Sequence, residues 1–323
     1  MIKNIFFLLL IFNMVFGKEF KINEIKLAGL ITDKNQEISG MDWFNDRLFL
    51  LPENPNGFLF SITRNEIHNI LTNLYTRDYK PITPRETKFK TPDYINLIPG
   101  FDGFEAICFD NNNVYLSIEA KHNGLMNGYI VWGELNPSTF EITIPEQNLR
   151  KIETPIQIDN MSFESILYYQ NQIIMLYEAN GLNLRKTVDH KIFSITDQTL
   201  SNINSTNIEF RLTDVTDIDI NNRFWCINYF WPGENELLLP GKDNFAHITK
   251  QNNTHKISKT VERIIEFEIK GNKIIPSNKK PIFLSLEEGN SRNWEAVARF
   301  NSIGLLVATD KHPRMIFGFI PFN

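Results

Sequence analysis

The fold is decided by residues 104–119, FEAICFDNNNVYLSIE. Glu105 stands at the start of a short apolar run, and four turn-forming residues, Asp110 to Asn113, separate this run from a second one that ends at Glu119. Two apolar runs joined by an Asp- and Asn-rich turn are typical of a β-hairpin. The stretch therefore predicts two antiparallel strands with a carboxylate at the open end of each.

The same pattern recurs along the chain. Residues 163–178 and 293–310 repeat it closely, and residues 39–53 and 216–228 repeat it loosely. Each copy is followed by a further strand-like run, such as residues 128–132, and a fourth run can be drawn after most of them. An inner and an outer hairpin, repeated around an axis, form the four-stranded blade of a β-propeller. The sequence therefore predicts an all-β, five-bladed β-propeller, with six blades as the alternative.

The two ends of the repeat predict how the ring closes. The last copy lacks a fourth strand, and residues 20–27 supply a candidate for it. Pairing of N-terminal and C-terminal strands would remove exposed sheet edges. We expect one propeller domain over residues 18–323, because the repeat runs through all of it. Insertions are expected at about residues 63–94 and 231–259, as loops over a face of the disc.

The first residues have the features of a secretory signal peptide. A short charged start is followed by an apolar run from Ile5 to Phe16 that breaks at Gly17. This run is shorter than the roughly 20 apolar residues that span a bilayer, and an uncleaved anchor is the alternative. We therefore predict a signal peptide over residues 1–17 and a secreted or periplasmic protein without a stable membrane span after cleavage.

Composition and charge exclude one class of partner. The chain has 33 Lys and Arg against 38 Asp and Glu, for a formal net charge of −5. A mildly acidic surface with scattered basic residues gives no support for nucleic-acid binding, and we expect a monomer. Cys108 and Cys226 lie in apolar strand-like runs, where buried free thiols are expected. Export would also permit a disulfide between them.

Acidic residues are expected to converge at one mouth of the central channel, because the innermost strand of every blade lines that channel. The candidate metal ligands are Asp42, Glu105, Glu164, Asp217 and Glu295, with the backbone of residues 39–41 as an alternative beside Asp42. Crowded carboxylates either take up protons or are neutralised by a cation. An oxygen-only ring favours calcium over zinc or copper. We predict a bound Ca²⁺, while capping of backbone amides by these acids is the structural alternative.

A second set of side chains should reach the same mouth, because the second strand of each hairpin returns to the level at which the first began. The candidate catalytic residues in and beside these strands are Glu119, Glu178, Asp310, Lys121, Lys311 and His312. Glu53 and Asn228 return to the same level. Basic side chains above a bound metal would suit a small anionic substrate such as a phosphate ester. They could equally balance the acidic ring.

These segments resemble the secreted bacterial propellers grouped as "esterase-like activity of phytase" proteins. The likeness rests on residues 100–107 (GFDGFEAI), 177–181 (YEANG), 212–214 (LTD), 224–230 (FWCINYF) and 292–296 (RNWEA). The chain is also more distantly similar to calcium-dependent propeller hydrolases, namely the apyrases, the lactonase and paraoxonase group, and the propeller phytases. These resemblances imply a central calcium ion and hydrolysis of phosphoanhydrides, lactones or phosphate esters. The chain departs from the phytases in lacking an Asp-rich second calcium segment, and it matches the lactonase ring only at Glu105, Glu164 and Asn228.

Two functions follow from these patterns. The first is a calcium-dependent hydrolase of an ester or phosphoester, with Glu119, Glu178 or Asp310 as general base and a nearby Lys or His stabilising negative charge. The second is a non-enzymatic ligand- or protein-binding propeller with a structural calcium. No GxSxG, P-loop, HExxH or GxGxxG motif occurs in the sequence, so serine-triad, P-loop and zincin mechanisms are not expected in their usual forms.

Overall fold

The computed structural model describes residues 19–73, 79–249, 253–287 and 291–322. The predicted signal peptide lies outside the described residues. In the described part, no helix is both long and apolar enough to cross a membrane. The helices are α1 (Arg64–Asn73), α2 (Tyr94–Leu97), α3 (Asn235–Leu238) and α4 (Ala246–Thr249), with 3₁₀ turns at Leu30–Thr32 and Pro232–Glu234.

Strands account for most of the regular structure, so the protein is all-β. In chain order they are β1 (Asn23–Glu24), β2 (Ile38–Phe44), β3 (Arg47–Pro52), β4 (Phe58–Thr63), β5 (Arg85–Lys90), β6 (Phe101–Asp110), β7 (Asn113–His122), β8 (Leu125–Leu135), β9 (Ile142–Thr143), β10 (Leu149–Glu153), β11 (Ser165–Tyr169), β12 (Gln172–Leu176), β13 (Val188–Ser194), β14 (Leu200–Ser205), β15 (Arg211–Val215), β16 (Arg223–Phe230), β17 (Val261–Ile269), β18 (Lys273–Pro276), β19 (Ile282–Phe283), β20 (Trp294–Phe300), β21 (Gly304–Thr309) and β22 (Phe317–Pro321).

The strands form antiparallel meanders. One sheet has the order β1–β22–β21–β20, and the others have the orders β2–β3–β4–β5–β9–β8–β7–β6 and β11–β12–β13–β14–β18–β17–β16–β15. In each of the two larger sheets, one short parallel contact, β5 with β9 or β14 with β18, joins two meanders at their outer edges. β10 and β19 pair additionally with β8 and β17.

The first strand of each meander packs against the first strand of the next. β2 contacts β6, β6 contacts β11, β11 contacts β15, β15 contacts β20, and β20 returns to β2. Side chains reinforce these contacts, since the Ser39 hydroxyl donates to the Phe104 carbonyl at 2.7 Å and the Thr213 hydroxyl donates to the Trp294 carbonyl at 2.6 Å. The succession of contacts surrounds a common axis, and the fold is propeller-like.

The first hairpin of every meander has an Asn at its turn in the left-handed conformation. These residues are Asn45, Asn111, Asn171, Asn222 and Asn301, with φ between 52° and 62°. Asn tolerates this backbone region because its short polar side chain bonds locally. The Asn-rich turns of the sequence therefore become tight reversals that send the second strand back beside the first.

The inner strands of the meanders are buried on both faces because their alternate residues enter different cores. In β6, Ile107 and Phe109 pack in one hydrophobic cluster, whereas Ala106 and Cys108 pack in another. Side chains alternate across a strand, so a strand between two packed sheets is apolar at nearly every position. Cys108 is buried in this way and is a free thiol, as is Cys226 in β16.

The N-terminal segment crosses three meanders. Phe20 forms a parallel bridge with Leu284, β1 pairs antiparallel with β22, and Leu27 forms a parallel bridge with Ile82. The two ends of the described chain are thereby joined in one sheet. The expected N-terminal strand over residues 20–27 is shorter in the structure, where only Asn23 and Glu24 form a ladder.

The two ranges expected to hold insertions contain three of the helices. α1 lies within residues 63–94, and α3 and α4 lie within residues 231–259. The first range also contains β5, the outer strand of its meander. β5 is difficult to recognise from its sequence because charged, exposed residues alternate along it, as is usual for an edge strand.

Candidate functional site

A polar cavity of about 320 Å³ lies where the first strands of the meanders begin and the second strands end. Most of its lining side chains are acidic. They are Glu37, Glu53, Asp102, Glu105, Glu119, Asn160, Glu164, Arg211, Asn293, Glu295, Asp310, Lys311 and His312. The structure thus brings together three of the five expected metal ligands and four of the six expected catalytic residues.

Bulges aim two of the carboxylates into this cavity. The ladder between β6 and β7 shifts register between Phe104 and Ala106, and the ladder between β20 and β21 shifts between Trp294 and Ala296. Glu105 therefore occupies a bulge, and Glu295 occupies the corresponding bulge in the last meander. A bulged residue leaves the regular alternation of a strand, so its side chain can be re-aimed.

The returning strands bring the second set to the same level. Glu119 in β7 lies opposite Gly103 in β6. Asp310 directly follows β21, and its backbone N–H donates to the Asn293 carbonyl at 3.1 Å. Asn293 also donates from its side chain to Asp310 Oδ2 at 2.9 Å. The hairpin geometry expected from the sequence thus explains why the acids of the first strands and those of the returning second strands lie together.

One guanidinium stands among the acids. Arg211, the first residue of β15, is 6% exposed. Its Nη2 lies 3.2 Å from both carboxylate oxygens of Glu164 and 3.6 Å from Glu295 Oε1, its Nε donates to Glu178, and its Nη1 lies 3.3 Å from Glu234 Oε1. Burial opposes the charge of Arg211, but the carboxylates outweigh burial and raise its pKa well above the usual value.

Arg211 is the main residue of the mouth that sequence reasoning missed. The fourth hairpin was expected to begin beside Asp217, whereas β15 begins at Arg211 and ends before Asp217. A spacing shared with the first meander could have revealed this register. Glu37 precedes the hydroxyl residue Ser39 by two positions, as Arg211 precedes Thr213, and both hydroxyls bind the next first strand.

Asp42 and Asp217 do not join the other expected ligands in the cavity lining. Asp42 lies within β2 and is 5% exposed. Its two carboxylate oxygens accept from the backbone N–H groups of Trp43 at 2.7 Å and Phe109 at 2.8 Å. Asp42 therefore ties β2 to β6, which is the amide-capping alternative, while Asp217 follows β15 and is exposed.

The other half of the mouth has no comparable basic partner. Among the described residues, no ion pair joins a basic side chain to Glu53, Glu105 or Glu119. Gly103 is the point at which these acids meet, because a Cβ there would lie 2.4 Å from Glu53 Cγ and Glu119 lies opposite it on β7. Glu119 is 4% exposed, and its Oε2 atom is buried without a hydrogen-bond partner.

The three acids have raised pKa values. Burial, and then the charges of Glu164 and Asp102, raise the pKa of Glu119 to about 8. Burial, together with its carboxyl neighbour Glu37, raises the pKa of Glu53 to about 9. Burial also raises the pKa of Glu105 well above the usual value, and neighbouring carboxylates add to the effect. These groups therefore either hold protons or require a cation at neutral pH.

The two expected lysines are already paired. Lys311 lines the cavity and forms an ion pair with Glu37, and its side chain is 43% exposed. Lys121 is not among the lining residues and forms a surface ion pair with Asp159. His312 lines the cavity, and its backbone N–H donates to Asp310 Oδ1 at 2.5 Å. Glu178 is fully buried behind Arg211 and does not line the cavity.

The residues of the mouth fit a calcium ion best around Gly103, where no basic side chain of the described residues is paired with the acids. Within the described residues, no group of three or more His, Cys, Asp or Glu side chains is already arranged to hold a metal ion. Around Gly103, however, the donors are carboxylate oxygens, which calcium prefers, and one of them is buried and unpartnered. On the opposite side Arg211 already supplies the positive charge.

Comparisons with known proteins inform the fold alone. No family model matches the chain, and no curated protein matches it. A glycosyl hydrolase from Bacteroides ovatus is similar in structure over 95% of this chain and 94% of that chain, with 8% sequence identity and a TM-score of 0.51. The fold is propeller-like. The resemblance to the phytase-related family stays a prediction.

Two further solved structures are similar at lower scores. A luciferin-regenerating enzyme has 9% identity and a TM-score of 0.44, over 88% of this chain and 78% of that chain. A GH32 β-fructofuranosidase from Bombyx mori, a mutant in complex with sucrose, has 8% identity and a TM-score of 0.48, over 88% of this chain and 61% of that chain. At these values neither assigns a reaction to this chain.

Proposed function

We propose that the protein is an exported five-bladed β-propeller that binds one calcium ion at the acidic mouth of its channel. Five antiparallel meanders, whose first strands contact one another in a closed succession, support the five-blade layout. The observation that carries the calcium site is the buried, unpartnered Glu119 Oε2 beside Glu53 and Glu105. A buried carboxylate without a counter-charge is unfavourable, and a divalent cation would remove the repulsion among all three.

The acids around Gly103 would hold the ion. Glu105 and Glu119 would supply its carboxylate ligands, and Glu53 would complete the set from the neighbouring strand end. Bound calcium would supply positive charge that polarises a carbonyl or phosphoryl oxygen. It would also offset the acidic lining, which otherwise disfavours an anionic substrate because acids outnumber bases among the cavity residues.

Calcium content is the first test. The mature protein should bind about one Ca²⁺ per chain by isothermal titration calorimetry, and its melting temperature should fall on chelation. Glu119→Gln should abolish this binding while retaining a folded protein. Glu153→Gln, which changes an exposed acid of β10, is the matched control and should bind like the wild type. A wild type that binds no calcium, or a Glu119→Gln variant that binds it unchanged, would refute the site.

Ester hydrolysis is the second candidate function, in line with the family resemblance. The observation that favours it is a cavity that holds Asp310 within reach of solvent beside acids whose pKa values are raised. Asp310 is the best-placed candidate for a general base, because Glu178 is enclosed behind Arg211. His312 and Lys311 stand next to it and could stabilise negative charge.

Turnover of a panel of carboxylic esters, lactones and phosphate esters separates an enzyme from a binding protein. Asp310→Asn should remove turnover of any active compound while calcium binding persists. A wild type that binds calcium and turns over none of the panel would favour the binding propeller.

A further inference from the structure

The fourth meander breaks the carboxylate pattern of the mouth. In the other meanders, one acid lies at or near the start of the first strand and another lies at or near the end of the second strand. These pairs are Glu37 with Glu53, Glu105 with Glu119, Glu164 with Glu178, and Glu295 with Asp310. In the fourth meander Arg211 stands at the position of Glu37, and Thr213 stands at the position that the bulged Glu105 and Glu295 occupy. Asn228 lies near the end of the second strand, and its Nδ2 donates to the Arg211 carbonyl at 2.9 Å.

All the donor nitrogens of Arg211 face carboxylates. Nε donates to Glu178, Nη1 reaches Glu234, and Nη2 reaches Glu164 and Glu295. Arg211 is therefore engaged within the protein and does not present a free guanidinium to an anionic substrate. Its charge lies where acids converge from the third and fifth meanders and from the 3₁₀ turn at Pro232–Glu234.

We propose that Arg211 is the built-in counter-cation of its side of the mouth and thereby limits the ring to one divalent cation, on the side of Gly103. This inference rests on the proposed function. A fixed positive charge repels a second cation strongly at low dielectric, and the guanidinium already neutralises the carboxylates to which that cation would bind. Glu178 Oε2 and Glu234 Oε2 are also buried without a hydrogen-bond partner, but their carboxylates are already paired with Arg211. Glu119 Oε2 is unpartnered in a carboxylate that no basic side chain of the described residues neutralises, so the open side is that of Gly103.

The test is to count the calcium ions bound when Arg211 is replaced by an uncharged residue. Arg211→Met keeps much of the side-chain volume and leaves Glu164, Glu178 and Glu295 without a cation. Calcium titration, with metal analysis of the dialysed protein, should find about two ions per chain in place of one. Arg211→Lys retains the positive charge and should still bind one ion. Arg263→Met removes another buried arginine, one that pairs with Asp243, and should leave the number of bound ions unchanged.

The outcomes separate this inference from the proposed function. A folded Arg211→Met variant that binds the same number of ions as the wild type overturns the inference and leaves the calcium site intact. A wild type that binds none and a variant that binds one would refute the proposed function while supporting the role of Arg211.

If Arg211→Met does not fold on its own, either added calcium or a second substitution still tests the inference. If the Arg211→Met variant folds only when calcium is present, the inference is supported, because calcium then replaces the missing positive charge. If Arg211→Met folds under neither condition, Arg211→Met combined with Glu178→Gln removes one buried charge of each sign and retains Glu164, Glu234 and Glu295. This double variant should gain one ion relative to the wild type, and no gain overturns the inference.

Discussion

Gly103 is the single residue on which the calcium side of the mouth depends most directly. Gly103→Ala places a Cβ 2.4 Å from Glu53 Cγ and 2.9 Å from Glu53 Oε1. The collision should displace Glu53 and weaken calcium binding on the order of tenfold, or about 1.4 kcal/mol. Calorimetric titration measures this change.

A double variant isolates the cause. Glu53→Ala removes the colliding atoms, so Gly103→Ala should have little further effect on calcium affinity in that background. If Gly103→Ala weakens binding equally with and without Glu53, then the steric explanation is incorrect and the glycine acts through the backbone instead.

His190 makes stability depend on acid pH. It is 1% exposed in β13, and its Nδ1 accepts from the Tyr177 backbone N–H at 3.1 Å. Burial, and then the charge of Arg185, lower its pKa to about 3. Because the unfolded chain binds this proton near pH 6.5, the neutral histidine stabilises the fold above that pH. This stability is lost as the pH falls from 6.5 towards 3.

His190→Asn is expected to remove this dependence, because the amide oxygen can accept from Tyr177 without taking up a proton. Between pH 7 and pH 4, the wild type should lose about 2–3 kcal/mol more free energy of unfolding than the variant. Urea denaturation at each pH measures the difference. A gap between the two proteins that stays constant with pH would contradict the expectation.

Single residues also mark the limit of sequence reasoning. Glu105, Glu119 and Asp310 could be assigned to one mouth because a hairpin returns its second strand to the level of the first. Arg211 was missed because Asp217 lies beside an apolar run and fits the repeat. The fourth copy was therefore predicted to begin at Thr216, five residues after the true start of β15 at Arg211. Gly103 escaped because its role depends on the approach of Glu53 from another meander, which no local pattern encodes.

At the scale of elements, the N-terminal segment acts as a strap. The Glu19 side chain is 4% exposed and accepts from the backbone N–H groups of Thr254 and His255, each at 3.0 Å, and from His255 Nδ1 at 2.9 Å. His255 Nε2 accepts from the Glu262 N–H at 3.1 Å, so Nδ1 carries the proton that is donated to Glu19. The strap is thus anchored at Glu19, before it crosses three meanders.

Glu19→Ala should destabilise the protein by about 1–3 kcal/mol, because three partly buried donors would lose a charged acceptor. Glu24→Ala is the control, since Glu24 makes an exposed ion pair with Arg314 and should cost less than about 1 kcal/mol. Urea denaturation at neutral pH compares them. Equal losses in the two variants would mean that the anchor at Glu19 is dispensable.

The hairpins were the most predictable elements. The apolar runs flanking Asn-rich turns form β6 with β7 and β20 with β21, because both the alternation and the turn chemistry are local. The edge strand β5 and the short helices of residues 231–259 were not predictable from pattern. Their positions follow from tertiary contacts, such as the bonding of Arg263 to Asp243, at 2.7 Å and 2.8 Å.

At the scale of the whole molecule, protons and calcium compete for the acids of the mouth. Burial raises the pKa of Glu119 to about 8 and of Glu53 to about 9. Each folded value lies above the unfolded value near 4.5, so these groups stabilise the fold most fully at low pH. Their contribution is lost as the pH rises from about 4.5, where the unfolded chain releases these protons, to the folded values of about 8 and about 9. Calcium replaces protons at carboxylates, so its benefit should increase over the same range.

We therefore expect the chelated protein to lose melting temperature steadily from pH 6 to pH 9, and calcium to restore more of it at pH 9 than at pH 6. Thermal melts across this range, with chelator or with calcium, measure both effects. Glu119→Gln is the informative variant, since it cannot ionise at this position. Its melting temperature should fall less steeply with rising pH and should increase little when calcium is added. Parallel curves with and without calcium would show that the ion does not bind to these titrating acids, and the mouth would then hold protons rather than metal.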